Sequence, residues 1–309
     1  YGRGGPPTVT DAALAAGRVD ASAFQPPLDP DRIDLPASPE AFLAVAHEQM
    51  AGAIRGLAAA RGEDVRDAEL LAFGGAAGQH AADVAERLGI PTVWFHPAAS
   101  VFSALGQALA RREEVATRAL WCPLEESWGQ VLEAWRQLEA TLPDLGQVER
   151  SVSVRRKGTD HAVAVGGATA ASVRRTYHLE HVRRYGVAPE GELEVVDATV
   201  RALGPSPAFP ATDLLTWGVG EEPVPGPVRL DAPTTSVWVP AGWQAQSDRG
   251  FLRLDHIAST ARAHPTERTP EGTALWGHRL AGVATEAGAV LRRLARSVNV
   301  RDQIGRAHV

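Results

Sequence analysis

The sequence predicts an α/β fold, because short apolar strand patterns alternate with helical patterns along one stretch of the chain. Between residues 70 and 110 the order is strand, glycine-rich turn, helix, strand and helix, which is typical of an α/β layered domain. Alternating apolar residues between positions 152 and 254 indicate a second, β-rich unit with one inserted helix. A polar linker and a long helical pattern over residues 274–297 follow.

Composition and charge favour a globular protein and exclude several classes of function. The 309 residues include 31 Lys and Arg against 37 Asp and Glu, and 44% are hydrophobic. The densest basic cluster, residues 155–157, is too short for a nucleic-acid groove. Cys122 is the only cysteine, which excludes an intrachain disulfide and a cysteine-based metal site. Without a leader-like segment or a bilayer-length apolar run, we expect a cytoplasmic protein with neither nucleic-acid nor membrane partners.

Two helices are predicted before the first strand. Thr10 or Asp11 is expected to cap a short helix, because either side chain offers an oxygen to the free amides of the first turn. Ser38 and Pro39 are the expected N-cap and first residue of a longer helix. Its apolar face is predicted to contain the following residues: Phe42, Val45, Ala46, Gln49, Ala53, Ile54 and Leu57.

The glycine-rich turn is the main candidate site. A strand over residues 70–73 leads into the segment GGAAG, residues 74–78, and a helix is predicted from Gln79 to Leu88, where Gly89 ends it. Glycines let a backbone approach a ligand closely, and the free amides of a helix N-terminus suit an anion or the edge of a nucleotide. The spacing fits neither a dinucleotide fingerprint nor a Walker A loop, and a tight connection without a ligand is the alternative interpretation.

The remaining elements are predicted from periodicity. Residues 92–95 form a second strand, and Ser100 or Ser103 begins another helix. A helical stretch carrying several tryptophans is predicted from residue 121 to 142, and the paired carboxylates Glu113 and Glu114 are interpreted as exposed helix charges.

Histidines are the other candidates for chemistry. His80, in the first helical turn, is able to orient a ligand or act as an acid or base, and a bond to backbone or water alone is the alternative. His96 precedes a proline at a strand end and is a weaker candidate, and His161 has no evident partner. His178 and His181 lie three apart on a helix, but no third metal ligand is evident, so a solvated helix face is preferred. Without a G-x-S-x-G elbow, no catalytic residue and no metal ligand is assigned.

The stretch LLAFGGAAGQHAADVAERLGIPTVWFHPAASVFSALGQALA, residues 70–110, resembles the signature region of the hydantoinase A/oxoprolinase family. In that family a glycine-rich segment with a trailing histidine precedes a turn, a strand and a Ser-Ala-Leu-Gly helix. The opening residues, RTYHLEHVRRYG (residues 175–186) and TTSVWVPAGWQAQ (residues 234–246) resemble further family landmarks in the same order. The Gly-Gln-His form of the glycine motif favours 5-oxoprolinase within the family.

The resemblance also implies a domain organisation. Residues 1–118 are expected to form part of an actin-like (ribonuclease H-like) ATPase lobe, and 119–258 a smaller β-rich α+β domain. Residues 259–273 are expected to be a linker, and 274–303 resemble the start of a B-type module fused in the same chain. We expect both ends to be truncations and residues 304–309 to be a non-native tail.

The resemblance assigns Gly74, Gly75, Ala76 and Gly78 to the adenosine side of bound ATP, whereas Ala77 departs from the glycine frequent in the family. The family's phosphate-binding segments of Asp-x-Gly-Gly-Thr type are absent, so ATP phosphates and Mg²⁺ are expected to bind outside this chain. The implied enzyme is a homo-oligomer that opens a cyclic amide, 5-oxoproline, to glutamate with ATP hydrolysis, and this portion alone is expected to be inactive. The alternatives are a related hydantoinase or ketone carboxylase subunit, and a non-catalytic nucleotide-binding or scaffold protein.

Overall fold

The computed structural model describes residues 5–61, 63–159, 161–185, 188, 190–208, 217–232, 235–257 and 270–294. It divides into two compact units that both mix helices and strands. Unit 1 combines Tyr1–Leu105 with Ala211–Val309, and unit 2 is Gly106–Pro210. Within the described ranges, no helix is long and apolar enough to cross a membrane.

The helices and strands are as follows. The helices are α1 (Val9–Ala15), α2 (Pro39–Arg61), α3 (Ala81–Leu88), α4 (Phe102–Ala108), α5 (Trp128–Glu139), α6 (Ala170–Tyr185) and α7 (Pro270–Leu294). The strands are β1 (Leu70–Ala72), β2 (Thr92–Phe95), β3 (Glu113–Pro123), β4 (Gln147–Arg156), β5 (Val163–Val165), β6 (Leu193–Leu203), β7 (Val224–Pro225), β8 (Val228–Ala232), β9 (Thr235–Val239), β10 (Trp243–Asp248) and β11 (Phe251–His256).

The first two helices begin at side-chain caps. Thr8 caps α1 in a reciprocal capping box, since its hydroxyl accepts from the Asp11 amide and the Asp11 carboxylate accepts from the Thr8 amide. The predicted caps Thr10 and Asp11 were therefore wrong by two or three residues. The predicted Ser38 cap of α2 is confirmed, because its Oγ accepts from the Ala41 amide at 3.2 Å.

Unit 1 contains a five-stranded sheet in the order β1-β2-β11-β10-β7. The β1–β2 pair is parallel and the other pairs are antiparallel. The β8–β9 hairpin and α3 pack with this sheet around one core, and α7 packs along α2. The buried apolar side chains of this core include Trp243, Phe95, Leu252, Leu254, Val93 and Trp217.

Unit 2 contains an antiparallel sheet in the order β3-β6-β4-β5, with α5 packed on β3 and β6 and α6 on β5. Trp135 of α5 is buried, and its indole N–H donates to the Ser151 carbonyl at 3.1 Å. The interpretation of Glu113 and Glu114 as helix charges was wrong, and the helix expected from residue 121 begins only at Trp128. Glu113 lies on β3, where its carboxylate pairs with Arg201 of β6 at 2.7 Å, because an eleven-residue strand pairs along β6.

The β-rich second half of the sequence supplies strands to both units. Strands β3 to β6 form the sheet of unit 2. In unit 1, β11 lies between β10 and β2, and β2 in turn pairs with β1, the first predicted strand. The module boundaries expected at residues 118 and 258 concern family modules and stay predictions. The helix predicted over 274–297 is confirmed as α7 from residue 270 to 294, and the expected tail at 304–309 lies outside the described residues.

A core substitution tests the placement of β2. Phe95 is 1% exposed, so Phe95→Ala should lower the free energy of unfolding by about 3–5 kcal/mol in urea denaturation, since it leaves a cavity. Phe73→Ala is the matched control, because Phe73 is 51% exposed and should change stability far less. Equal losses in the two variants would contradict this placement.

Candidate functional site

The glycine-rich turn lies at the carboxyl edge of the parallel strand pair. It follows β1, and the loop of residues 96–101 follows β2, so the two connections emerge at the same edge. They are joined by the Gly74 amide, which donates to the Ala99 carbonyl at 2.7 Å. In open α/β sheets, ligands bind in crevices outside the carboxyl ends of strands. The turn therefore occupies a position suited to a ligand.

The first three candidate residues have open space beside their backbone. Gly74 has a φ of +103°, a conformation that side chains disfavour. A Cβ built on Gly74 or Gly75 would meet no atom within 4 Å, and Gly75 and Ala76 are exposed. The structure therefore brings Gly74, Gly75 and Ala76 together on an accessible stretch of backbone.

Gly78 is different, because it is buried against β9. A Cβ built there would lie 2.1 Å from the Ser236 carbonyl oxygen and 2.9 Å from Val237 Cγ2. The absence of a side chain at Gly78 thus has a structural use, and its assignment to nucleotide binding stays a prediction. Ala77 packs against the same core, so its methyl group has apolar partners.

An aromatic wall stands beside the turn, formed by Phe73, Phe102, His96 and Phe251. Ring centroids lie 5.4 Å apart for Phe73–Phe102, 5.3 Å for His96–Phe102 and 5.2 Å for His96–Phe251. Burial lowers the pKa of His96, and its Nδ1 accepts from the Ala98 amide at 3.0 Å. The neutral ring and the half-exposed Phe73 give the wall an apolar character that suits a flat ligand ring.

His80 ends the turn and is buried against a second histidine. Its Nδ1 lies 3.0 Å from Nε2 of His47, which projects from α2 and is 1% exposed. Burial is the largest cause that lowers the pKa of His47, to about 3, and burial followed by the nearby Arg18 charge lowers the pKa of His80. Both rings are therefore neutral at pH 7.

A buried ion pair supports the two histidines. Asp83, in the first turn of α3, accepts from Nη1 of Arg18 at 2.5 Å, and the same Arg18 nitrogen donates to the Gln79 carbonyl at 3.2 Å. Nδ1 of His47 is 4.0 Å from Oδ1 of Asp83. Arg87 donates to the Asp83 main-chain carbonyl at 2.8 Å. These groups hold the end of the turn in a charged but well-partnered setting.

A second buried carboxylate lies next to His47 on α2. Glu48 is 3% exposed and faces three arginines, at 2.8 Å from Arg55, 3.4 Å from Arg279 and 3.7 Å from Arg87. Since Arg279 belongs to α7 and Arg87 to α3, this carboxylate links three helices of unit 1.

Helical periodicity did not identify His47, Glu48 and Asp83 as buried site residues. The signal that could have found them is that each is a titratable residue among apolar neighbours on a helix. The buried face of α2 in fact contains Leu43, Ala46, His47, Glu48, Ala51 and Ala59, only partly the face that was predicted. The apolar count alone therefore identified only part of the buried face.

The other histidine candidates lie elsewhere. His178 and His181 are on α6 in unit 2, where their rings contact Tyr177 at centroid distances of 6.1 Å and 5.7 Å. Among the residues that the structure describes, no three His, Cys, Asp or Glu side chains gather where a metal ion would be held.

The fold and the edge site define a mixed α/β protein with a glycine turn at the carboxyl edge of a parallel strand pair. Residues 1–115 match the model of the hydantoinase/oxoprolinase family.

Its relatives carry related names. The chain is 35% identical to 5-oxoprolinase of Saccharomyces cerevisiae over 137 residues, 36% of this chain and 11% of that protein. It is 24% identical to 5-oxoprolinase 1 of Arabidopsis thaliana over 385 aligned positions, which cover 98% of this chain and 30% of that protein. The crystal structure of ATP-dependent caprolactamase from Pseudomonas jessenii superposes with a TM-score of 0.67 at 23% identity, covering 84% of this chain and 48% of that chain. The chain thus spans less than half the length of these relatives, and the caprolactamase likeness shows the fold alone.

The two sides of the glycine turn are separable by mutation. Gly78→Ala should lower the free energy of unfolding by about 1–3 kcal/mol, because the new methyl group collides with the backbone of β9. Gly75→Ala adds the same methyl group in open space and should change stability by less than about 0.5 kcal/mol. Urea denaturation of both variants measures the difference, and an equally stable Gly78→Ala variant would contradict the close contact.

The buried histidines predict an acid-side loss of stability. The pKa of His47 is about 3 in the folded chain against an ordinary 6.5, so below pH 6.5 the unfolded chain binds a proton that the folded chain does not. The contribution is fully present above pH 6.5 and falls by about 1.4 kcal/mol per pH unit as the pH drops toward 3. His47→Gln should flatten this slope in urea titrations from pH 7 to 4.5. The control, His278→Gln, alters an exposed histidine of α7 and should leave the slope unchanged.

Proposed function

We propose that this chain supplies part of the nucleotide-binding lobe of an ATP-dependent cyclic-amide hydrolase that opens 5-oxoproline to glutamate. The observation that carries the proposal is the open glycine turn at the carboxyl edge of β1 and β2. The match of residues 1–115 to the hydantoinase/oxoprolinase model and the names of the relatives support the reaction class.

In this proposal the adenosine side of ATP lies along Gly74, Gly75 and Ala76. The exposed backbone of the turn accommodates a ligand edge without a side-chain collision. The adjacent Phe73 presents a half-exposed ring, and ring stacking on an aromatic side chain stabilises a bound base by about 1–3 kcal/mol. Gly78 shapes the turn from below through its contact with β9.

The proposed chemistry explains why a cyclic amide needs ATP. Phosphorylation of the amide oxygen converts a poor electrophile into one with a phosphate leaving group, after which water opens the ring. Such a transfer depends on positioned phosphates and on Mg²⁺ that offsets the developing charge. In the proposal, Mg²⁺ accompanies the phosphates of ATP, and no residue of this chain is assigned to it.

The wider assembly is part of the same proposal. We assign residues 1–118 to an actin-like lobe, 119–258 to the remainder of the A module, and 274–303 to the start of a B-type module joined by a linker. The whole enzyme is proposed to be a cytoplasmic homo-oligomer. The 5-oxoprolinase names of the relatives favour a lactam substrate over the hydantoin and ketone alternatives, because 5-oxoproline is a lactam.

Nucleotide binding tests the glycine turn directly. The 309-residue chain is titrated with ADP and ATP by calorimetry, and Gly75→Val should weaken binding at least tenfold, a loss of about 1.4 kcal/mol, because the side chain fills the space beside the turn. Gly129→Val, at an equally open glycine in unit 2, is the control and should bind like the parent chain. Unaltered affinity in Gly75→Val would remove the turn from the nucleotide site. Phosphate release with 5-oxoproline, hydantoin and acetone, measured on the complete enzyme, then separates the substrate classes.

A further inference from the structure

Three buried side chains, those of Asp83, His47 and His80, lie in a row that ends at the glycine turn. Asp83 faces Nδ1 of His47 at 4.0 Å, and Nε2 of His47 faces Nδ1 of His80 at 3.0 Å. His80 is 8% exposed, and Asp83 and His47 are both 1% exposed. Two arginines lie near these rings: Arg18, which pairs with Asp83, and Arg87, which is on α3 like Asp83.

The positions of the protons on the two histidine rings follow from this geometry. The 3.0 Å contact between two ring nitrogens needs one proton, carried either by Nε2 of His47 or by Nδ1 of His80. In the first arrangement, Nδ1 of a neutral His47 has no proton and turns its lone pair toward the Asp83 carboxylate, which is repulsive. In the second, Nδ1–H of His47 points at Asp83, and Nδ1–H of His80 donates to His47. Electrostatics therefore select the second arrangement.

We propose that Asp83, His47 and His80 form a relay that fixes both histidine rings as Nδ1–H tautomers. Nε2 of His80 is then a hydrogen-bond acceptor for a donor group of the nucleoside bound at the glycine turn. Among the described residues, no hydrogen bond is formed by Nε2 of His80. Sugar hydroxyls and the exocyclic amine of adenine are donors of this kind. The acceptor role rests on the proposed nucleotide function, whereas the tautomer does not.

The relay gives each residue a separate role. His80 would contact the ligand directly, since it follows the turn at the N-cap position of α3 and keeps 8% of its surface exposed. His47 is a positioning residue, which acts by holding the proton of His80 on Nδ1. Burial of both rings, which lowers their pKa values, keeps them neutral and so preserves the lone pair on Nε2.

Nuclear magnetic resonance of the ¹⁵N-labelled chain tests the tautomer without any activity measurement. Long-range ¹H–¹⁵N spectra at pH 7, assigned with His47→Gln and His80→Gln, should show His80 protonated on Nδ1 and unprotonated on Nε2. His47→Phe removes the acceptor for that proton and should increase the Nε2–H form of His80. The control, His278→Phe, should leave the His80 signals unchanged. A parent chain with the His80 proton on Nε2, or with a doubly protonated ring, would overturn the relay.

Nucleotide analogues test the acceptor role. His80→Phe should weaken ADP binding about tenfold, whereas His80→Gln, which retains an acceptor oxygen, should recover part of it. 2′-Deoxy-ADP lacks the 2′-hydroxyl donor, and IDP lacks the exocyclic amine donor. The analogue that lacks the donor contacted by His80 should bind the parent chain more weakly than ADP, and its binding should be insensitive to His80→Phe. Equal sensitivity of all three nucleotides would overturn the contact. Absence of any ADP binding by the parent chain would overturn both the acceptor role and the proposed function, while the spectra would still decide the tautomer.

Discussion

The close approach of Gly78 to the backbone of β9 is the constraint on which the arrangement of unit 1 depends. The chain segments that meet there are separated by more than 150 residues, and they approach more closely than any side chain at Gly78 would permit. The same packing holds the start of α3 in place, because the short 3₁₀ turn Ala77–Gln79 runs directly into it. The absence of a Cβ atom at Gly78 therefore permits the packing that positions both the turn and His80.

The glycine turn consequently has two sides with different physical demands. Its first half, Gly74 to Ala76, faces open space; the Gly74 amide donates to the Ala99 carbonyl, and the Gly75 carbonyl accepts from the Thr235 hydroxyl. Its second half, Ala77 to His80, is buried and packs against the core and against His47. A turn anchored on one side and open on the other is suited to ligand binding, because its backbone geometry is set before the ligand arrives.

The buried charges near His80 favour precise placement of the helices more than net stability. Removing Asp83 and Glu48 from water is costly, and pairing with arginines offsets that cost without a large gain. Loss of a single partner would leave an uncompensated buried charge, which typically costs 3–5 kcal/mol. The network thus penalises any shift of α2, α3 or α7, since Glu48 faces arginines from each of these helices.

Local patterns in the sequence were sufficient for β1, β2, α2 and the glycine at the end of α3, because short strands, caps and left-handed glycines depend on neighbouring residues. The candidate turn was found in the same way, and its residues and spacing resemble the family whose model matches residues 1–115. The pairing of β3 along β6 was not predictable, since the tryptophans and charges nearby also fit a helical period. Periodicity likewise gave only part of the buried face of α2 and placed no value on His47.

The sequence by itself determined the resemblance to the hydantoinase/oxoprolinase family, the α/β character and the position of the glycine turn, because each depends on contiguous residues. Only the tertiary structure decided that two distant stretches form one unit, that Gly78 serves packing while Gly74 and Gly75 remain open, and that Asp83, His47 and His80 form a chain. These outcomes depend on contacts between residues far apart in sequence, and no local propensity or spacing encodes such contacts directly.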